Sequence, residues 1–173
     1  TAEHAPTVRD MVRLHGNCSG PDDLYLAQRG LRTMGVRLKQ NEASGLALAG
    51  WLEGRPEVAA VLHPGLPSHP DHALWQRDFT GACGLFSFVL KPVPKAALAA
   101  FLDGLKLYGM GASWGGFESL ILPGDPSALR TATTWEMPGQ LLRIHAGLED
   151  LDDLVADLTA GFERMNAASA AAA

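Results

Sequence analysis

With 173 residues, 47% of them apolar and 19% charged, the chain has the composition of a folded domain with one sizeable core, which excludes disordered, collagen-like and coiled-coil classes. The net charge of -5, with 14 Lys and Arg scattered rather than clustered, supplies no basic footprint for a nucleic-acid backbone. Cys18 and Cys83 are too few for a disulfide scaffold and too far apart for a local metal pair, so they read as reduced, small apolar residues. No run approaches the roughly 18 apolar residues of a membrane helix and the first residues carry no export signal, so a cytoplasmic location is expected.

In chain order, Val8, Met11, Val12 and His15 have helical spacing, which breaks at Ser19-Gly20-Pro21. Pro21 suits a first helical position, and Asp22 and Asp23 suit the positive end of a helix dipole. Helical character continues to about Gly54. Gly30 and Gly35 interrupt it, so two helices with a bend at 29–33 are expected. Residues 58–63, branched and bounded by prolines, predict a buried strand, followed by a loop over 64–71.

Residues 84–90 carry the clearest strand pattern, stopped by Pro92 or Pro94. A short helix over 95–105 sets Ala97, Leu98, Phe101 and Leu102 on one side. A glycine-rich segment, 111–116, precedes an apolar run over 117–122 closed by Pro123-Gly124, and alternation over 140–146 predicts a final strand. In the last helix Leu148, Leu151, Val155, Leu158 and Phe162 form one stripe, acidic residues crowd the first turn, and Arg164 sits in the last. The tail 167–173 is expected to fray. Strands separated by helices predict an α/β fold, a sheet covered by helices.

Three places could carry chemistry. Ser113-Trp114-Gly115-Gly116 sets a hydroxyl and an indole beside two glycines that let backbone approach a ligand, although a tight turn with a packed tryptophan explains the same residues. Arg143 lies inside the apolar strand Leu141-Leu142-Arg143-Ile144-His145, and a guanidinium there needs an anion. Glu118 and Glu149 are available as ion-pair partners, and a ligand carboxylate is the other choice. His145 shares the face of Arg143, two residues away, and is otherwise a satisfied core or interface histidine. His63, His69 and His72 surround a proline-rich loop, but a metal would want closer convergence with a carboxylate or cysteine, so no metal site is expected.

Four ordered motifs carry a resemblance that covers nearly the whole chain. They are Tyr25-Leu26-Ala27-Gln28-Arg29-Gly30-Leu31-Arg32-Thr33; Arg77-Asp78-Phe79-Thr80-Gly81 leading into Gly84-Leu85-Phe86-Ser87-Phe88; Ser113-Trp114-Gly115-Gly116-Phe117-Glu118-Ser119-Leu120; and Arg143-Ile144-His145-Ala146-Gly147-Leu148-Glu149-Asp150. In this order they resemble the pyridoxal 5'-phosphate enzymes of cysteine and methionine metabolism. Tryptophan after the serine and histidine after the arginine strand position make the chain most similar to the bacterial β-lyase branch, where γ-acting relatives usually carry leucine and serine.

The resemblance implies the C-terminal part of an aspartate-aminotransferase-like, fold type I enzyme. Residues 1–30 resemble the end of the large cofactor domain, 31–166 resemble the small α+β domain, and 167–173 form the tail. It implies that Ser113 and Trp114 line the substrate pocket and that Arg143 binds the substrate α-carboxylate, the substrate being cystathionine. It also implies a homotetramer in the complete enzyme, with the large domain as partner of this part. The family's Schiff-base lysine, its aspartate beneath the pyridine nitrogen and its phosphate-binding segment are not matched here. Lys39, Lys91, Lys95 and Lys106 lie in none of the expected contexts, so no catalytic or cofactor-binding residue is assigned in this chain and the chain alone is expected to be inactive.

Overall fold

The computed structural model describes residues 1–127 and 129–172. The chain divides into two units, one comprising Thr1–Val36 and the other beginning at Arg37. The first contains α1 (Ala5–Leu14) and the opening turns of α2 (Pro21–Glu53). No residue in 1–36 is buried, and Leu14, Tyr25 and Leu31 are largely exposed, so this unit has no core of its own.

The bend expected at 29–33 is absent, because α2 runs as one helix of 33 residues. A glycine inside a helix costs about 1 kcal/mol relative to alanine but keeps its N–H, so the hydrogen-bond ladder survives where a proline would have broken it.

In the second unit β1 (Val58–Leu62), β2 (Leu85–Leu90), β3 (Gly109–Met110), β4 (Leu120–Gly124) and β5 (Leu141–His145) form a sheet in the order β1-β2-β5-β4-β3. All pairings are antiparallel except β3 with β4. The strand expected over 58–63 is present but lies at the sheet edge and is half-buried rather than buried, since β2 flanks it on one side alone. The apolar run expected over 117–122 starts pairing at Leu120 and continues through Pro123 and Gly124. Proline is tolerated there because β3 accompanies β4 only at Leu120 and Ile121, which leaves the rest of β4 an edge on that side.

One face of the sheet carries Phe86, Phe88, Ile121, Leu142 and Ile144, which register places side by side. They meet Leu48, Ala49 and Leu52 of α2, Ala97 and Phe101 of α4 (Lys95–Asp103), and Leu154, Leu158, Phe162 and Met165 of α5 (Leu151–Ala171) in a single buried cluster. Fully burying each large side chain of this kind contributes roughly 1.5–3 kcal/mol. The Phe101 and Phe162 rings lie 4.9 Å apart where α4 crosses α5.

The buried stripe of α5 includes Leu154 and Met165, while Leu148 precedes the helix and Leu151 is half-buried. The Asp150 side chain caps its start by accepting from the Asp152 N–H at 2.9 Å. Arg164 serves a different helix end from the one expected. Its Nε donates to the Ala100 carbonyl at 3.1 Å and its Nη2 to that of Phe101 at 3.4 Å, closing the C-terminal turn of α4. The tail expected to fray is helical through Ala171, in line with the high helix propensity of alanine, and Ala173 lies outside the described residues. The short helix α3 (His72–Asp78) follows the loop and carries no buried residue, which is why no apolar stripe announces it. Among the described residues no helix is long and apolar enough to cross a membrane.

Candidate functional site

The sheet face turned away from α4 and α5 is where the alternation of β5 matters. Leu142 and Ile144 point into the core, which puts Arg143 and His145 together on the other side, as their spacing of two requires. Ser87 and Leu122 flank Arg143 in register, and Leu85 and Leu120 flank His145.

The glycine-rich segment 111–116 lies over this face. Arg143 Nη2 donates to the carbonyls of Ala112 at 2.8 Å and Gly111 at 3.3 Å, and its guanidinium carbon is 5.5 Å from the centroid of the Trp114 ring. His145 Nε2 accepts from the Gly115 N–H at 3.2 Å and lies 3.3 Å from the Gly116 carbonyl. Gly115 has φ +80, the left-handed region in which a side chain is strained, so glycine is required for this turn.

The ion pair that Glu118 or Glu149 offered to Arg143 does not form. Glu149 is taken by Ser119, whose N–H and hydroxyl donate to its carboxylate at 2.7 and 2.8 Å, while the Gly147 N–H donates to the Ser119 Oγ at 2.8 Å. Glu118 is exposed. Ion pairs join Arg55 with Glu57 and Arg77 with Asp78, well away from Arg143 in sequence. Arg143 therefore has carbonyl partners and an aromatic neighbour but no carboxylate, and its Nη1 and Nε donors face no acceptor among the described residues. A half-buried guanidinium in this condition suits an anion brought from outside.

Of the three residues singled out from sequence, the structure brings Trp114 and Arg143 together. Ser113 is adjacent in the chain, exposed, and its hydroxyl makes no hydrogen bond among the described residues. What the sequence did not show is the framework around them. Asn41, buried in α2, donates to the carbonyls of Ala146 at 2.8 Å and Gly147 at 3.1 Å, and Glu42 accepts from the Ala82 N–H at 3.0 Å. Two adjacent polar residues interrupting the apolar spacing of a helix were the available signal.

The histidine loop is a turn device. His63 Nδ1 accepts from the Gly65 N–H at 3.0 Å, His69 Nδ1 from the Asp71 N–H at 3.1 Å, and His72 Nδ1 lies 2.9 Å from the Pro64 carbonyl. Among the described residues no three His, Cys, Asp or Glu side chains converge as a metal site would need. Both cysteines are free and exposed, so neither packs as the small apolar residue expected. Cys83 borders an open cavity of about 630 Å³ together with His63, Leu74, Trp75 and Phe79.

The four lysines are exposed and lie elsewhere: Lys39 on α2, Lys91 just after β2, Lys95 at the start of α4, and Lys106 beyond its end. None of the four is the desolvated lysine that covalent attachment of an aldehyde cofactor needs.

The chain is 49% identical over 162 residues to a cystathionine beta-lyase of Salmonella typhimurium, a match covering 91% of this chain and 41% of that protein. It is 40% identical over 154 residues to the human cystathionine gamma-lyase, covering 83% of this chain and 36% of that protein. The crystal structure of a cystathionine gamma synthase from Xanthomonas oryzae pv. oryzae in complex with cystathionine superimposes with a TM-score of 0.75 at 39% identity, covering 87% of this chain and 40% of that one. The chain spans about two fifths of the length of these relatives. The mixed sheet with its helices is accordingly part of a fold type I architecture. Residues 2–163 match the family model for Cys/Met metabolism PLP-dependent enzymes, and the chain belongs to that family.

Proposed function

We propose that this chain supplies the substrate-carboxylate end of the active site of a pyridoxal-phosphate-dependent carbon–sulfur lyase, whose complete form cleaves cystathionine by α,β-elimination to homocysteine, pyruvate and ammonia in methionine biosynthesis. The observation that carries the reading is Arg143, a half-buried guanidinium with donors to spare and no carboxylate partner among the described residues, set on the sheet face away from the core. In this role Arg143 binds the α-carboxylate, Trp114 covers one side of its guanidinium, and Ser113 lines the approach. Fixing the carboxylate orients the bonds that must break, an effect of position rather than of acid or base. The electron sink and the base that removes the α-proton are not among these residues, so the chain alone turns over no substrate.

Replacing Arg143 by alanine in the complete enzyme removes a charged hydrogen-bonding partner and is expected to cost roughly 3–5 kcal/mol, about two to four decades in kcat/KM for cystathionine. A loss of less than threefold would take Arg143 out of the site. Trp114 and His145 favour β- over γ-elimination, but the likeness to a gamma-lyase and a gamma synthase supports the γ reading as second. Product analysis separates them, since β-elimination releases pyruvate and γ-elimination releases 2-oxobutyrate. The proposal extends to residues 1–30 as the end of a large cofactor domain, 31–166 as the small domain, and a cytoplasmic homotetramer as the complete enzyme. A pure packing or assembly role for this polypeptide is favoured by the exposed apolar side chains in 1–36, and turnover by the isolated chain supplied with pyridoxal phosphate would exclude it.

A further inference from the structure

We infer that His145 is the positioning residue of the carboxylate subsite, anchoring the 111–116 loop so that Trp114 stays over Arg143. The inference deepens the proposed function and rests on it. The loop needs an anchor: residues 112–118 are exposed, Gly115 and Gly116 adjoin the indole, and a glycine-rich segment loses the most backbone freedom on being ordered. Side chains of one strand hold it at two points. Arg143 takes the Gly111 and Ala112 carbonyls through Nη2, and His145 takes the Gly115 N–H through Nε2, with the Gly116 carbonyl also in reach. Trp114 sits between these two points in the chain, so fixing both ends restricts where its ring can go.

Several features separate this role from simple packing. His145 is 2% exposed, so its ring is held by its surroundings and is a firm support. Its Nδ1 is buried with no partner among the described residues, so the polar capacity of the ring is spent on the loop alone. With the proton on Nδ1, Nε2 is an acceptor, which an aliphatic side chain of similar size cannot offer. His145 does not contact the position assigned to the substrate and acts through Arg143 and Trp114.

The first readout needs no variant. In the native chain the Gly115 amide should exchange with deuterium at least about tenfold more slowly than the Gly116 amide, and equal rates would overturn the inference. In the complete enzyme His145→Leu should raise KM for cystathionine about tenfold with kcat changed less than threefold, while His145→Gln, whose amide oxygen can accept from Gly115, should bring KM back within about threefold of native. If Leu and Gln variants behave alike, the ring only packs and the inference falls. If the Leu variant does not fold, the Gln variant and the amide exchange still decide. An Arg143→Ala enzyme with unchanged KM would sink the carboxylate reading itself, while the exchange comparison would continue to report on the anchor.

Discussion

Arg143 and Trp114 are 29 residues apart in sequence, yet the guanidinium carbon of one lies 5.5 Å from the ring centroid of the other, and the backbone carbonyls of Gly111 and Ala112, just ahead of Trp114, hold the guanidinium there. The contact does two things. It satisfies part of a charge that the sheet half-buries, and it leaves Nη1 and Nε without a hydrogen bond among the described residues, as the proposed carboxylate role requires.

A cation over an aromatic face contributes about 0.5–2 kcal/mol depending on how far water is excluded. Trp114→Ala in the complete enzyme should therefore raise KM for cystathionine about 2- to 30-fold, and Trp114→Phe, which keeps a ring face, should recover part of that loss. Steady-state kinetics of the two variants decide the matter: a phenylalanine variant no better than alanine would show that the ring face has no role.

The Gly147 position tests how tightly β5 is joined to the segment beneath the site. A Cβ built there would collide with the Phe117 carbonyl oxygen and lie 2.7 Å from the Glu118 carbonyl carbon, both backbone atoms that cannot swing aside. Gly147→Ala should destabilise the chain by about 1–3 kcal/mol through forced backbone movement. Gly50→Ala is the control, since nothing lies within 4 Å of a Cβ on that exposed helical residue. It should be neutral or stabilising by up to about 1 kcal/mol. Urea midpoints that fail to separate the two variants would contradict this account.

Strands β1, β2, β4 and β5 were legible because they are apolar and bracketed by proline or glycine, and the Arg143 and His145 spacing assigns both to one face whatever surrounds them, whereas β3, two residues long, leaves no pattern. The family was legible from four ordered motifs. The partner of Arg143 was not. Sequence offers Glu118 and Glu149 as ion-pair partners ahead of a ligand carboxylate, and only the fold shows that Ser119 claims Glu149 and that Glu118 is exposed. The continuity of α2 is not visible in its glycines, because an internal glycine lowers helix propensity without removing an N–H, and α3 leaves no apolar period because it is an exposed seven-residue helix. Arg164 was assigned to its own helix dipole because the carbonyls it caps belong to a helix about 60 residues away.

Asn41 joins α2 to the chain just beyond β5, and its two hydrogen bonds end on the carbonyls of Ala146 and Gly147. Asn41→Ala leaves both buried carbonyls short of a donor, which should cost about 1–3 kcal/mol. Asn41→Asp is the sharper variant, because a carboxylate facing two carbonyls adds repulsion to the lost donors. It should unfold at lower urea than the alanine variant above pH 6, and the order should reverse or close as the carboxylate is protonated. Identical midpoints for both variants across pH would mean that the Asn41 donor contributes nothing.

His63 makes stability depend on pH. It is buried, its ring lies 5.4 Å from that of Phe86, and Nε2 has no partner among the described residues. Burial holds its pKa below the ordinary value of 6.5, and the nearby His69 pushes the same way, while the backbone of His63 and Cys83 opposes them. The unfolded chain therefore takes up a proton at higher pH than the folded one. Stability from this residue is complete above about pH 6.5 and is lost as pH falls from there toward the lowered folded pKa. Protonation also ends the acceptance of the Gly65 N–H at Nδ1, so it loosens the loop that carries His69 and Asp71. Urea midpoints measured between pH 7.5 and pH 5.5 should fall for the native chain and fall less for His63→Gln, which does not titrate. A variant with the same slope as the native chain would mean that His63 does not carry the dependence.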